Sequence, residues 1–179
     1  WTKDSKKSYT NVGHHGQSQV GVIDPVKGGV KILTEGRHWI AISSLGSDGK
    51  TLAVQKGDVT TMNEIGLVDA TSPGAMTMLT SENHAFHEEV TTVPVKTEWL
   101  ESTEGAKVQI WVLEPAKKSR RGAAILQVHG GPHAQYGELF FHEMQFLAAQ
   151  GYTVVMSNPR GSKGYGEAHC NAISGNWGG

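Results

Sequence analysis

The stretch ILQVHGGPHAQYGELFFHEMQFLAAQGYTVVMSNP, residues 125–159, changes its hydrophobic period twice. Its start, together with Ala123 and Ala124, is a short and almost wholly apolar run, the composition of a strand buried on both faces of a sheet. The run breaks into a histidine, two glycines and a proline. Beyond the break Phe140, Met144 and Leu147 recur at helical spacing, and Gly151 stands where a helix C-cap glycine belongs. YTVVMSNP then reads as a second buried strand. Strand, helix and strand in this order predict a βαβ unit with a right-handed crossover and a parallel sheet. HGGPHAQYG, residues 129–137, is therefore expected as a loop at the carboxyl end of a parallel strand, where open α/β sheets bind ligands.

Upstream, VPVKTEWL (93–100) and AKVQIWVLEP (106–115) predict two strands joined by a turn over residues 102–105. PAKKSRRG (115–122) reads as a basic, polar connector. The first half of the chain is different in kind, because it echoes itself. DSKKSYT (4–10) returns as DGKTLAV (48–54), VIDP (22–25) as LVDA (67–70) and ILTEG (32–36) as MLTSE (78–82), at offsets of 44, 45 and 46 residues. Short β-branched runs at that period, separated by Asp-Gly, Pro and Gly-Gly turns, predict β-propeller blades of roughly four strands each. About two blades fit, with unrelated hairpins of a β-sandwich as the alternative. Gly21 and Gly66 fall in mid-strand of the two repeats, where each weakens its strand. The expected architecture is β-propeller blades followed by a partial α/β sheet, with residues 1–90 and 91–179 as the two parts. A propeller has about 4 to 8 blades. More are expected before Trp1, and the chain is read as a fragment.

Composition narrows the partners. Lys+Arg 16 against Asp+Glu 17 leave a net charge of -1, which argues against a nucleic-acid or anionic-membrane surface. No apolar stretch approaches the ~20 residues of a membrane span, and no signal-peptide pattern opens the chain. Cys170 is the one cysteine and cannot form an internal disulfide. A reducing, cytoplasmic setting is expected, with no membrane partner.

Glycines at the end of a buried strand let backbone N–H groups approach a ligand oxygen without interference from Cβ. In α/β-hydrolases the corresponding loop donates one N–H to the oxyanion hole. Acyl transfer places negative charge on the carbonyl oxygen only in the transition state, so a fixed donor there lowers the barrier by ~3 to 4 kcal/mol. The competing reading of Gly130 and Gly131 is a tight structural turn. His129 and His133 lie four apart, but the proline and glycines between them exclude a helix and no third ligand is evident, so neither a metal nor a cofactor is expected. Arg160 reads as a partner for a carboxylate that holds two loops together. GSKGYG fits neither phosphate-loop pattern. Cys170 beside His169 does not read as a thiol-imidazole pair, because sequence neighbours on a helix do not face each other. Glu88 and Glu89 read as a solvated charge pair. No Gly-x-Ser-x-Gly is present: GQSQV (16–20) lacks the second glycine and GSKG (161–164) has the wrong spacing.

HGGP (129–132), NPRGSKGYG (158–166) and the terminal NWGG (176–179) together resemble the prolyl oligopeptidase family of serine peptidases, especially its acylaminoacyl-peptidase and dipeptidyl-peptidase-like members. The resemblance implies a β-propeller followed by an α/β-hydrolase domain. It implies the backbone N–H of Gly131 as oxyanion donor. Some relatives use a tyrosine hydroxyl at the place of His129, which this chain lacks. It further implies that the nucleophilic serine, the aspartate and the histidine lie beyond the C-terminus, so that this chain alone is inactive. The expected substrate is a short peptide, and a homo-oligomer is left open. The rival expectations are a carboxylesterase on the same scaffold and a non-catalytic propeller module that binds peptides.

Overall fold

The computed structural model describes residues 1–103, 105–115, 117 and 122–177. These divide into two compact units, one of residues 1–90 with 138–140, the other of residues 91–137 and those from 141 onward.

The first unit contains strands β1 (Ser8–His14), β2 (Gln17–Ile23), β3 (Val30–Ile32), β4 (Trp39–Leu45), β5 (Thr51–Gly57), β6 (Glu64–Asp69) and β7 (Met76–Met78), then the short helix α1 (His84–Glu89). They form two antiparallel meanders, β1-β2-β3 and β4-β5-β6-β7. A single parallel pairing, Ser18 with Trp39, connects them. Side chains reinforce that junction: the Asn11 amide donates to Ile40 O at 2.6 Å and accepts from Ile42 N at 3.1 Å, and Ser18 Oγ donates to Ile40 O at 2.7 Å.

The echo in sequence is an echo in pairing. Gly21 pairs with Ile32 in the first meander as Gly66 pairs with Met78 in the second. Their smallness has a packing reason. A Cβ on Gly21 would fall 2.7 Å from both Val12 Cγ2 and Val30 Cγ1, and one on Gly66 would fall 3.0 Å from Met78 Sδ. Turn chemistry repeats too. Asp24 Oδ1 accepts from the N–H groups of Val26 and Lys27, and Asp48 Oδ1 from those of Lys50 and Thr51. Asp58 and Asp69 do the same for Thr60 and Thr71, so short acidic side chains close the chain on itself where it reverses. Val20, Leu33, Ile40, Leu52, Val54 and Val68 are the buried core of this unit.

The second unit contains β8 (Val95–Glu101), β9 (Lys107–Leu113), β10 (Ala124–Val128), α2 (His142–Ala149), β11 (Thr153–Asn158) and α3 (Glu167–Asn171). Its sheet runs β10-β11-β9-β8. β10 and β11 are parallel, as the βαβ pattern requires, whereas β11 meets β9 and β9 meets β8 antiparallel, so the sheet is mixed. Met144 and Ala148 of α2 pack with Trp111, Leu113, Val154 and Met156, which covers one face of β9 and β11.

Two expectations are corrected here. β10 is not buried on both faces: Leu126 is 63% and Val128 60% exposed. It pairs with β11 on one side only among the described residues, and the α2 core is built on β9 and β11 instead. Phe140 is not part of the helix, which begins at His142. It belongs with the first unit, where its ring stands edge-on to Phe86 at 6.1 Å. The turn after β8 is closed by Ala106 and Gly105 on Ser102. Glu104, most of the basic connector and the last two residues of NWGG lie outside the described residues. None of the described helices is long and apolar enough to cross a membrane.

Candidate functional site

β10 ends at Val128, and residues 129–137 leave its carboxyl end as an irregular loop. A second loop, residues 159–166, leaves the adjacent carboxyl end of β11. Parallel pairing puts both ends on the same edge, so the two glycine-containing motifs meet although the sequence separates them by about thirty residues.

They are tied at four places. His129 Nε2 lies 2.8 Å from Ser162 Oγ, and His133 Nδ1 lies 2.9 Å from Gly161 O. Lys163 N–H donates to Ala134 O at 2.9 Å. The fourth tie is Asn158, whose amide bonds both the N–H and the C=O of Tyr136, at 2.8 and 2.9 Å. Ser162 is itself anchored, its Oγ lying 2.6 Å from Pro159 O. Tyr136 closes the arrangement sideways, with its ring edge-on to His129 at 5.6 Å and to Phe141 at 5.4 Å.

Gly131 stands at the crest of this loop, exposed, with φ +130. An L side chain rarely adopts that conformation, and a Cβ there would lie 3.0 Å from His133 N. Among the described residues none accepts a hydrogen bond from the Gly131 N–H. The other side of the same peptide is held. His129 Nδ1 lies 2.9 Å from Gly130 O, a contact that is a hydrogen bond when that nitrogen carries the proton. In a trans peptide C=O and N–H point in opposite directions. Fixing the Gly130 carbonyl therefore aims the Gly131 N–H away from His129. The arrangement leaves the Gly131 N–H oriented and without an acceptor among the described residues.

The remaining residues singled out by sequence separate from this group or join it unexpectedly. His129 and His133 turn to different partners. His169 bonds Pro159 O at 2.9 Å rather than the neighbouring Cys170 thiol, in line with the expectation that the two do not pair. The imidazole that meets the thiol is that of His133, with Sγ 3.2 Å from Nδ1. Arg160 Nη1 donates to Ala172 O at 3.2 Å. Glu88 faces His84 on the exposed surface of α1. Sequence reasoning missed Asn158, Tyr165 and Gln109, a buried polar chain in which Asn158 Nδ2 donates to Tyr165 Oη and Tyr165 Oη to Gln109 Oε1, each at 2.7 Å. Burial pushes the Tyr165 phenol up to about 12, against the hydrogen bond from Asn158, so it stays protonated and donates. The one signal for these residues was an asparagine ending a strand with an apolar centre, Val154–Met156.

Residues 137–179 match the model of the prolyl oligopeptidase family. An uncharacterized peptidase of Bacillus subtilis, YuxL, is 33% identical over 182 residues, which span all of this chain and 27% of that protein. Dipeptidyl-peptidase 5 of Porphyromonas gingivalis is 27% identical, over all of this chain and 26% of its own length. Among solved structures, uncomplexed acylaminoacyl peptidase of Pyrococcus horikoshii superposes with a TM-score of 0.79 at 27% identity, covering 94% of this chain and 26% of that one. The chain thus spans about a quarter of the length of these relatives.

Proposed function

Because the chain belongs to the prolyl oligopeptidase family, we propose that the full-length protein is a cytoplasmic serine peptidase that hydrolyses short peptides through an acyl-enzyme. In this reading residues 1–90 are approximately the last two blades of a β-propeller, and residues 91–179 begin an α/β-hydrolase domain. The topology supports the second part. Among the strands of the second unit β10 comes third, and the loop leading from it to α2 is the one from which α/β-hydrolases take an oxyanion-hole N–H. The repeated three-strand pairing supports the first.

The observation that carries the proposal is the Gly131 N–H, left without an acceptor among the described residues while the carbonyl across its peptide faces His129 Nδ1 at 2.9 Å. In the reaction a serine oxygen bonds to the scissile carbonyl carbon, and the C=O π pair moves onto oxygen. The serine proton passes to a histidine. The Gly131 N–H stabilises the oxyanion, which collapses as the C–N bond breaks and the histidine protonates the departing amine; water then repeats the sequence on the ester. The serine, histidine and aspartate are assigned to the part of the protein outside residues 1–179. A single oxyanion donor is worth about 10²–10³ in kcat.

A fluorophosphonate probe tests this on the full-length protein. It is expected to label one serine outside residues 1–179, to leave the isolated chain unlabelled, and to abolish cleavage of short peptide amides. Labelling within residues 1–179, or a full-length protein that takes up no probe, overturns the proposal. Turnover of esters with no turnover of peptide amides favours a carboxylesterase.

A further inference from the structure

We propose that Asn158 is a positioning residue for the oxyanion donor: its side-chain amide clamps the backbone of Tyr136 and so holds in place the loop that carries Gly131. The role rests on the peptidase reading above. Asn158 is the last residue of β11 and fully buried. All the hydrogen-bonding capacity it needs is spent. Oδ1 accepts from Tyr136 N–H, and the two Nδ2 hydrogens go to Tyr136 O and Tyr165 Oη. An amide that meets both the N–H and the C=O of one residue reproduces the pairing of a β-ladder. Among residues of this length only asparagine offers a donor and an acceptor together, since aspartate accepts only and leucine does neither.

The mechanical argument follows from where the loop is fixed. Its near end continues from β10. Its middle contains Gly130 and Gly131, which have no Cβ to restrict them. The other ties, from His129, His133 and Ala134, all run to residues 161–163, in the loop that Asn158 itself begins. Asn158 is the tie that starts from a strand of the sheet, and Tyr165 extends it to Gln109 on β9. Tyr136 also supports the ring of His129, the residue that orients the Gly130–Gly131 peptide. Releasing Tyr136 therefore loosens the donor at two points. A donor held in advance costs no reorganisation when charge develops, so slack in it raises the barrier and leaves ground-state binding alone.

Asn158→Asp in the full-length protein tests the role. The carboxylate has nearly the same shape but places an oxygen against Tyr136 O where a donor stood. kcat is expected to fall about 10- to 100-fold with KM changed by less than about twofold, the pattern of an interaction made only in the transition state. Affinity for a peptide trifluoromethyl ketone, which forms a tetrahedral oxyanion adduct, should fall by the same factor as kcat. Tyr165→Phe keeps the clamp and removes only its support, and should show the same split at smaller amplitude. If Asn158→Asp does not fold, Tyr165→Phe decides the matter. An unchanged kcat and unchanged analogue affinity in a folded variant, or a loss confined to KM, overturns the positioning role while leaving the peptidase reading intact. A wild-type protein that neither takes the fluorophosphonate nor cleaves peptides overturns both.

Discussion

At Gly21 a methyl group would have to share space with methyl groups of two valines at 2.7 Å. Valine is stiff about χ1 and yields poorly. At Gly66 the nearest atom is the Met78 sulfur at 3.0 Å, on a side chain that adapts readily. Gly21→Ala is expected to cost about 1–3 kcal/mol and Gly66→Ala distinctly less, measured as the shift in urea unfolding. Equal costs would refute this account of the paired glycines. Gly131 poses a different constraint, since its φ of +130 excludes a side chain by backbone strain as well as by contact. Gly131→Ala should cost some stability through that strain and lower kcat of the full-length protein at least about tenfold through displacement of the N–H. A variant with full kcat would show that another group holds the oxyanion.

Between elements, the carboxylate of Glu64 on β6 links that strand to the segment entering α1. It accepts from the Thr80 hydroxyl and from Asn83 N–H at 2.7 Å and Nδ2 at 2.8 Å. The Thr80 hydroxyl first, then the Asn83 N–H, hold its pKa at about 2 against an ordinary value of 4.5. A carboxyl whose pKa is lower in the folded state stabilises that state fully above its unfolded value, and the contribution fades as pH falls from about 4.5 to about 2. Asp48, in the turn between β4 and β5, is likewise held at about 2, mainly by the hydroxyl and N–H of Thr51. Unfolding midpoints between pH 5 and 2 should therefore decline in the wild type. They should decline less steeply in Glu64→Gln, with Asp48 and the hydrogen-bonded Asp4, Asp24 and Asp69, whose pKa values are also lowered, supplying the slope that remains. Parallel declines would mean that Glu64 gains nothing from its partners in the folded state.

For the chain as a whole, the exposed β10 is the feature with the widest consequence. Its Leu126 and Val128 side chains face solvent, and the backbone of one edge pairs with no described strand. An open apolar edge is a template for association. The isolated chain is expected to self-associate with rising concentration in sedimentation velocity, and Leu126→Lys to reduce that association without unfolding the protein. Monomeric behaviour of the wild type at high concentration would refute it. The strands β8 and β9, the order β10-α2-β11 and the echo between the two halves of the first unit were legible in the residues themselves, although each repeat reads as roughly four strands and the first meander has three. Each follows from periodicity or turn chemistry within a few positions. Phe140 deceived that reading because helical spacing continues one turn before the helix begins, and the exposure of β10 because an apolar run does not report how many neighbours a strand has. What the sequence alone determined, then, is most of the strands, the βαβ order and a glycine loop at a strand end, while the helix α1 gave no signal that was read. Which groups meet there was decided by the parallel pairing of β10 with β11, which brings His129 to Ser162, His133 to Cys170 and Tyr136 to Asn158 across separations of 33, 37 and 22 residues. Contacts at such distances depend on strand order and register, and no local pattern encodes either.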